Sequence, residues 1–150
     1  MNPARDDLSH IHRPVMVTEV LGHLFDGAST DIRGLVVDGT VGLGGHACAI
    51  LERSPDVRVL GLDRDTEALA LARERLAAHV ERVRLEHASY ADLERVLETS
   101  GLEAPRGVLL DLGASSLQFD DASRGFSFRT PSPDVDMRFD RRGPGPTALD

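Results

Sequence analysis

Three groups of residues in this sequence have types and spacings that suit the binding of a small ligand. The first is a glycine-rich stretch, Asp38-Gly-Thr-Val-Gly-Leu-Gly-Gly-His46, which lies between an apolar run and a helical pattern. Glycine permits positive φ angles and lets a ligand come close to the backbone. The second group begins at Asp63 and the third at Asp111, and each acid ends a short apolar run. Because ligands of open parallel sheets bind outside the carboxyl ends of the strands, these groups are predicted to share one site.

Asp63 narrows the class of ligand. An acid that closes the second strand of such a sheet can accept hydrogen bonds from the hydroxyls of an adenosine ribose. Gly42-Leu-Gly-Gly-His-Ala47 also satisfies the dinucleotide pattern G-x-G-x-x-[GA], so a nicotinamide or flavin enzyme stays open on pattern alone. Asp38 favours a different cofactor. A carboxylate before the loop suits a cationic amino-acid moiety, such as methionine joined to a sulfonium, better than a pyrophosphate.

Other reactive side chains give weaker signals. His46 stands at a helix start, where a lone histidine is more often packed or capping than catalytic. The histidines of the chain show no metal-ligand spacing, so no metal is predicted. Ser115 lies outside any G-x-S-x-G elbow, which argues against acyl transfer. Cys48 falls on an apolar helical stripe and is predicted to be a small core residue.

The elements that must position these residues alternate between strands and helices. Short apolar runs predict strands at 35–38, 57–63, 83–85 and 107–110, the last ending at Asp111. Helical patterns follow Pro14, the glycine loop, Asp65 or Thr66, and Leu93. This alternation predicts an α/β fold with a parallel sheet, in which four strands are visible.

The predicted organisation has three parts. Residues 1–12 are expected to form a mobile arm, residues 13–113 a cofactor-binding domain, and residues 114–150 a long segment rich in glycine, proline and arginine. The last segment also holds most of the phenylalanines, including Phe126 and Phe128. Their rings either have a function, such as holding a base, or pack internally or on another part of the molecule.

Composition excludes several classes of protein. The formal charge of −8 argues against broad, non-specific nucleic-acid binding, although a site that reads one nucleotide remains compatible with it. A single cysteine excludes an internal disulfide framework and suits a reducing compartment. No apolar run approaches the roughly 20 residues of a membrane span, and no secretory leader opens the chain. A cytoplasmic protein is therefore expected.

The motifs together resemble those of the bacterial 16S ribosomal RNA cytosine-N4 methyltransferase family, the MraW type. The resemblance rests on the glycine loop and on three further stretches, Gly61-Leu-Asp-Arg-Asp65, Leu109-Leu-Asp-Leu-Gly-Ala-Ser-Ser-Leu-Gln118 and Arg124-Gly-Phe-Ser-Phe128. His12-Arg-Pro-Val-Met16 and Asp136-Met-Arg138 are similar to the flanking signatures of the family. The resemblance implies a Rossmann-like fold, S-adenosylmethionine as methyl donor, and a cytosine of the ribosomal decoding region as acceptor.

Site residues follow from the resemblance by matching position. It implies that the methionine and sulfonium end is lined by Gly44, Gly45 and His46. It implies further that Asp63 holds the ribose, that Tyr90 flanks the adenine, and that Asp111 and Gln118 complete the pocket. Leu117 stands where the family has proline, which is expected to loosen the loop that presents Gln118, and Ala114 replaces the family's usual valine. No catalytic group is assigned.

Family members are about twice as long as this chain, which looks like an N-terminal portion with further strands expected beyond it. Two alternatives to an active methyltransferase therefore stay open. One is a remnant that binds the cofactor at most or requires a partner, and the other is a nicotinamide-dependent enzyme. 16S rRNA or the small ribosomal subunit is the expected substrate. A sheet that lacks strands has an unpaired edge, so self-association is also expected.

Overall fold

The computed structural model of the protein describes residues 14–25, 33–127 and 135–150. In the first part of the chain, the elements are α1 (Val17–Leu24), β1 (Gly34–Asp38), α2 (Gly45–Arg53), β2 (Val57–Asp63), α3 (Thr66–Arg75), β3 (Val83–His87), α4 (Leu93–Ser100) and β4 (Gly107–Leu109). Short 3-10 helices at Ala77–Arg82 and Tyr90–Asp92 flank β3. The chain divides between Asp111 and Leu112 into two compact units. The predicted arm at 1–12 lies outside the described residues.

The four strands form one sheet, in the order β3-β2-β1-β4, and all three pairings are parallel. The order reverses at β1, because β2 and β3 lie on one side of it and β4 on the other. In sheets of this kind the ligand binds outside the carboxyl ends of the strands at such a switch point, here between β1 and β4. The predicted parallel α/β architecture is therefore confirmed.

β4 is one residue shorter than predicted. Its pairing with β1 ends where Leu109 lies beside Asp38. The carbonyl of Leu109 then accepts a hydrogen bond of 2.9 Å from the backbone N–H of Gly39, which already belongs to the loop. Leu110 and Asp111 therefore continue the chain beyond the ladder, at the carboxyl edge of the sheet.

Alternating side chains of the strands build a core on each face of the sheet. One cluster includes Val36 and Val59 together with Ala47, Ile50 and Leu51 of α2 and residues of α3. The other cluster contains Leu35, Val37, Leu60 and Leu62, and α4 contributes Val96. Helices thus cover both faces, as the near-continuous apolar runs of β1 and β2 require.

The second unit contains a short helix, α5 (Ser116–Asp120), which the sequence did not predict, and a 3-10 turn at Ala122–Arg124. The guanidinium of Arg124 is buried and donates hydrogen bonds to the carbonyls of Arg138 (3.3 Å) and Phe139 (3.2 Å). The ring of Phe126 makes edge-to-face contacts with Phe119 and Phe139, at centroid distances of 6.3 and 5.7 Å. These three rings pack within the unit, whereas Phe128 lies outside the described residues.

Candidate cofactor site

The carboxyl edge of the sheet gathers the predicted site residues of the first unit. Asp63 closes β2, Tyr90 follows β3 and Asp111 follows β4. The loop from Gly39 to Gly44 joins the end of β1 to the first turn of α2, which contains Gly45 and His46. Parallel strands present their carboxyl ends at the same edge, so the fold brings together residues far apart in sequence.

Backbone hydrogen bonds hold the glycine loop against the neighbouring strands. Gly39 donates to the carbonyl of Leu109, and Val41 donates to the carbonyl of Leu62, each at 2.9 Å. Gly44, the N-cap residue of α2, has a φ of +77°, and a Cβ added there would lie 3.1 Å from Cδ1 of Leu76. Gly44 is therefore required both for its left-handed backbone and for the close packing beneath the loop.

The Asp63 carboxylate is fixed by two backbone donors. Its Oδ2 accepts from Gly42 N at 2.8 Å, and its Oδ1 accepts from Asp65 N at 2.9 Å. Burial raises the pKa of Asp63 above its ordinary value, and these hydrogen bonds oppose that rise. Each carboxylate oxygen keeps a second lone pair, so a ligand with two neighbouring hydroxyls can still donate to Asp63.

Asp38 is the most deeply buried acid at this edge, with 1% of its surface exposed. Its Oδ1 accepts a hydrogen bond of 3.2 Å from Thr40 N. Burial raises the pKa of Asp38 to about 7, the bond from Thr40 lowers it, and repulsion from Asp63 and Asp111 raises it further. Asp63 and Asp111 thus oppose the ionisation of Asp38, and a ligand with positive charge would relieve that repulsion.

Asp111 and His46 face each other across the opening of the loop. The backbone N–H of Asp111 donates to the hydroxyl of Thr40 at 2.7 Å, and its side chain is 44% exposed. The Nδ1 atom of His46 lies 3.9 Å from Oδ2 of Asp111, and its Nε2 atom lies 2.9 Å from the carbonyl oxygen of Val15. His46 is buried, as expected of a packed histidine, but its ring also links the segment before α1 to the site. Sequence reasoning missed Val15, although it belongs to the motif at 12–16.

The two remaining predicted residues have different surroundings. Tyr90 opens the 3-10 turn after β3 and is 46% exposed, so its ring can stack on a ligand. Gln118 belongs to the second unit and is buried in α5. Its Oε1 accepts a hydrogen bond of 2.9 Å from Ser115 N, and Ser115 Oγ in turn accepts from Gln118 N at 3.4 Å. This capping box gives Gln118 a structural role that the sequence reasoning did not assign.

One group of possible metal ligands occurs within the described parts of the chain, away from the loop. Donor atoms of Cys48, Glu52 and His79 all lie within 4.8 Å of one another. The spacing of the histidines did not predict it, because only the fold brings His79 to α2. A guanidinium nitrogen of Arg82 lies 3.0 Å from His79 Nδ1, and burial raises the pKa of the Cys48 thiol. Both features disfavour a cation at this place.

Comparison with known proteins identifies the family of this chain. The family model described as MraW methylase matches residues 9–150, almost the whole chain. The chain belongs to the MraW methylase family. Membership confirms the predicted resemblance and excludes the nicotinamide alternative, and S-adenosylmethionine is the cofactor that the family and fold imply. The three carboxyl groups and the glycine loop fit that cofactor, which carries an ammonium and a sulfonium beside its ribose.

Two relatives show how much of a MraW protein the chain represents. It is 47% identical over 130 residues to the ribosomal RNA small subunit methyltransferase H of Thermobifida fusca, covering 87% of this chain and 39% of the relative. It is 49% identical over 139 residues to the protein of the same name from a Parafrankia species, covering 93% of this chain and 42% of the relative. The chain thus spans about two fifths of the length of these curated relatives.

Solved structures confirm the Rossmann-like methyltransferase fold. An rRNA methylase from Streptococcus thermophilus aligns with a TM-score of 0.51 and 24% identity, covering 69% of this chain and 57% of that one. A precorrin-6y C5,15-methyltransferase from Geobacter metallireducens aligns with a TM-score of 0.50 and 18% identity, covering 73% and 58%. Among the residues that the structure describes, no helix is both long and apolar enough to cross a membrane.

Proposed function

We propose that this chain carries the cofactor site of an enzyme that methylates N4 of a cytosine in the decoding region of 16S ribosomal RNA, in the cytoplasm. The observation that carries the proposal is the grouping of Asp38, Asp63 and Asp111 around the glycine loop at the switch point of a MraW sheet. The relatives' name supplies the substrate class, the small-subunit rRNA.

Each site residue has a role in this proposal that its surroundings support. The loop residues Gly44 and Gly45 and the first turn of α2 bind the methionine end, where orphan backbone N–H groups suit its carboxylate. Asp38 balances the positive charge of the cofactor. Asp63 accepts hydrogen bonds from the ribose hydroxyls, and Tyr90 flanks the adenine.

The family resemblance also assigns Gln118 of the second unit to cofactor binding, and the capping box of α5 fixes its side chain. Because hydrogen bonds with Ser115 already hold the Gln118 side chain, that side chain loses little conformational entropy when a ligand binds.

Methyl transfer depends mainly on how the protein positions the cytosine amine relative to the methyl group. S-adenosylmethionine supplies a methyl group on a positively charged sulfur, which leaves as a neutral thioether. The protein must hold the cytosine amine in line with that group, and such positioning supplies several kcal/mol. The lone pair of the amine is delocalised into the ring, so an acceptor for one of its hydrogens promotes attack. Asp111, exposed beside the loop, is that acceptor in our proposal.

Calorimetric titration of the chain with S-adenosylmethionine, with NAD as control ligand, tests the cofactor part of the proposal. We expect S-adenosylmethionine to bind and NAD not to bind, because the acidic site repels a pyrophosphate. Asp63→Ala should weaken binding about tenfold or more, through loss of hydrogen bonds to the ribose. A chain that unfolds cooperatively yet binds neither ligand would instead be a remnant or require a partner.

Asp111→Asn tests the acceptor. The asparagine keeps the backbone bond to Thr40 but removes the basic oxygen. Methyl transfer to unmethylated small ribosomal subunits should fall about a hundredfold, whereas the affinity for S-adenosylmethionine should change only a few-fold. Equal losses of transfer and binding would assign Asp111 to cofactor binding alone.

We also infer that the chain self-associates through β4. Among the described residues, β4 pairs with β1 alone, and the Val108 and Leu110 side chains are 46% and 44% exposed. An open edge with apolar side chains favours pairing with another chain.

A further inference from the structure

The imidazole of His46 stands between two hydrogen-bond acceptors. Its Nε2 atom is 2.9 Å from the Val15 carbonyl oxygen, and its Nδ1 atom is 3.9 Å from Oδ2 of Asp111. A carbonyl oxygen can only accept, so the short contact requires Nε2 to carry a hydrogen. In the neutral ring, Nδ1 is then an unprotonated nitrogen close to the Asp111 carboxylate.

The two acceptors are 3.9 Å apart, which is beyond hydrogen-bond distance, so the ring and the carboxylate must move closer before a proton can pass between them. The His46 side chain is nearly enclosed, whereas the Asp111 side chain is 44% exposed. A proton released on the solvent side of the site therefore reaches Asp111 first.

The Val15 carbonyl is held firmly enough to fix the ring. A Cβ added to Gly45 would lie 3.1 Å from the Pro14 ring, so the segment before α1 packs directly on the first turn of α2. Met16, the N-cap residue of α1, has a φ of +54°, and its carbonyl accepts from Val20 N at 2.9 Å. Val15 thus lies between a residue packed on α2 and the start of α1.

We propose that His46 is a positioning residue that receives, through Asp111, the proton released when the cytosine amine is methylated. This inference rests on the proposed function. The bond between the amine nitrogen and the methyl carbon forms while the carbon–sulfur bond breaks, and its electron pair stays on sulfur. The amine proton passes to the Asp111 carboxylate and then to Nδ1 of His46, which becomes an imidazolium with hydrogens directed at Asp111 and Val15. Solvent later removes that proton.

Nitrogen-15 NMR of the histidine rings in the whole chain tests the pair without any need for catalysis. At about pH 9, where an ordinary histidine is neutral, we expect His46 to be protonated at Nε2 and unprotonated at Nδ1. His46→Gln identifies its signals by their disappearance. A ring protonated at Nδ1 would overturn the inference, because Nδ1 could then not accept a proton from Asp111.

The same variant separates proton transfer from a purely structural role. The amide N–H of the introduced glutamine can still donate to Val15, but the side chain offers no basic nitrogen to Asp111. We expect His46→Gln to lower kcat about a hundredfold while KM and the affinity for S-adenosylmethionine stay within about threefold. Adding it to Asp111→Asn should cause little further loss, because both act on one proton. A kcat close to that of the wild type would overturn the inference.

A wild-type chain that binds no S-adenosylmethionine would contradict the proposed function. If the chain binds S-adenosylmethionine but transfers no methyl group, the protonation state of His46 decides the inference by itself. If His46→Gln does not fold, the NMR measurement on the wild type still decides, with the remaining histidine signals identified by other single variants.

Discussion

At the scale of the residue, Asp38 is a buried acid whose burial costs stability and which lies in the proposed cofactor site. An acid with 1% exposure beside two other carboxyl groups is a poor choice for stability alone, because burial raises its pKa to about 7. The same environment suits a cationic ligand, which neutralises the site when it arrives. The proposed function therefore accounts for this acid, whereas the packing of the sheet does not.

Asp38 predicts a pH dependence of folding. Its pKa is about 7 in the folded chain against 3.8 for the ordinary group, so between these values the folded state holds a proton that the unfolded state has lost. Stability from this group is therefore highest below about pH 4, falls as pH rises towards about 7 and stays low above it. Denaturant unfolding of the wild type should show a decrease of about 3 kcal/mol between about pH 5 and about pH 8.

Asp38→Asn is the matched control. The amide oxygen can still accept from Thr40 N, but the group no longer ionises. The difference in unfolding free energy between variant and wild type should therefore grow as pH rises from about 5 to about 8. If the two proteins respond to pH alike, Asp38 is not the group responsible.

At the scale of the element, the glycine loop was the easiest part of the fold to predict from the sequence. The strands before it and after it end at acids, and its glycines mark where the backbone must turn. Predicting α5 was harder, because a five-residue helix has no apolar periodicity, although the capping box of Ser115 and Gln118 is visible in the sequence. Contacts such as His46 with Val15 could not be predicted, because they depend on how distant segments pack.

Gly44 gives the loop a prediction with a control in the same chain. Gly44 and Gly101 have similar positive φ angles, +77° and +65°, but only Gly44 has atoms within 4 Å of an added Cβ. Gly44→Ala and Gly101→Ala should each cost roughly 1–2 kcal/mol of unfolding free energy from backbone strain.

The Gly44 variant should lose more than the Gly101 variant, because its Cβ presses on Leu76. Only Gly44→Ala should also weaken binding of S-adenosylmethionine in calorimetry. If the two variants bind S-adenosylmethionine with equal affinity, the glycine loop is not part of the cofactor site.

At the scale of the whole molecule, the formal charge of −8 must be reconciled with the proposed RNA substrate. Phosphate-rich partners are bound through basic faces, whereas this chain has 25 acidic residues against 17 basic ones. In the proposed function, the acids that surround the loop bind the cofactor rather than the RNA. The relatives are more than twice as long as this chain, and under the proposed function their affinity for the ribosomal subunit is expected to depend largely on the regions that this chain does not match.

The edge of β4 gives the last prediction, which concerns the state of association. Val108 is a 46% exposed β4 residue, and a lysine there would add a charge that disfavours pairing of two edges. We expect sedimentation velocity over an about hundredfold range of concentration to show reversible association of the wild type, and Val108→Lys to shift it towards the monomer. Val80→Lys is the control, because Val80 is 66% exposed in the 3-10 helix before β3, at the opposite side of the sheet. A wild type that stays monomeric throughout, or two lysine variants that behave alike, would show that the β4 edge does not drive association.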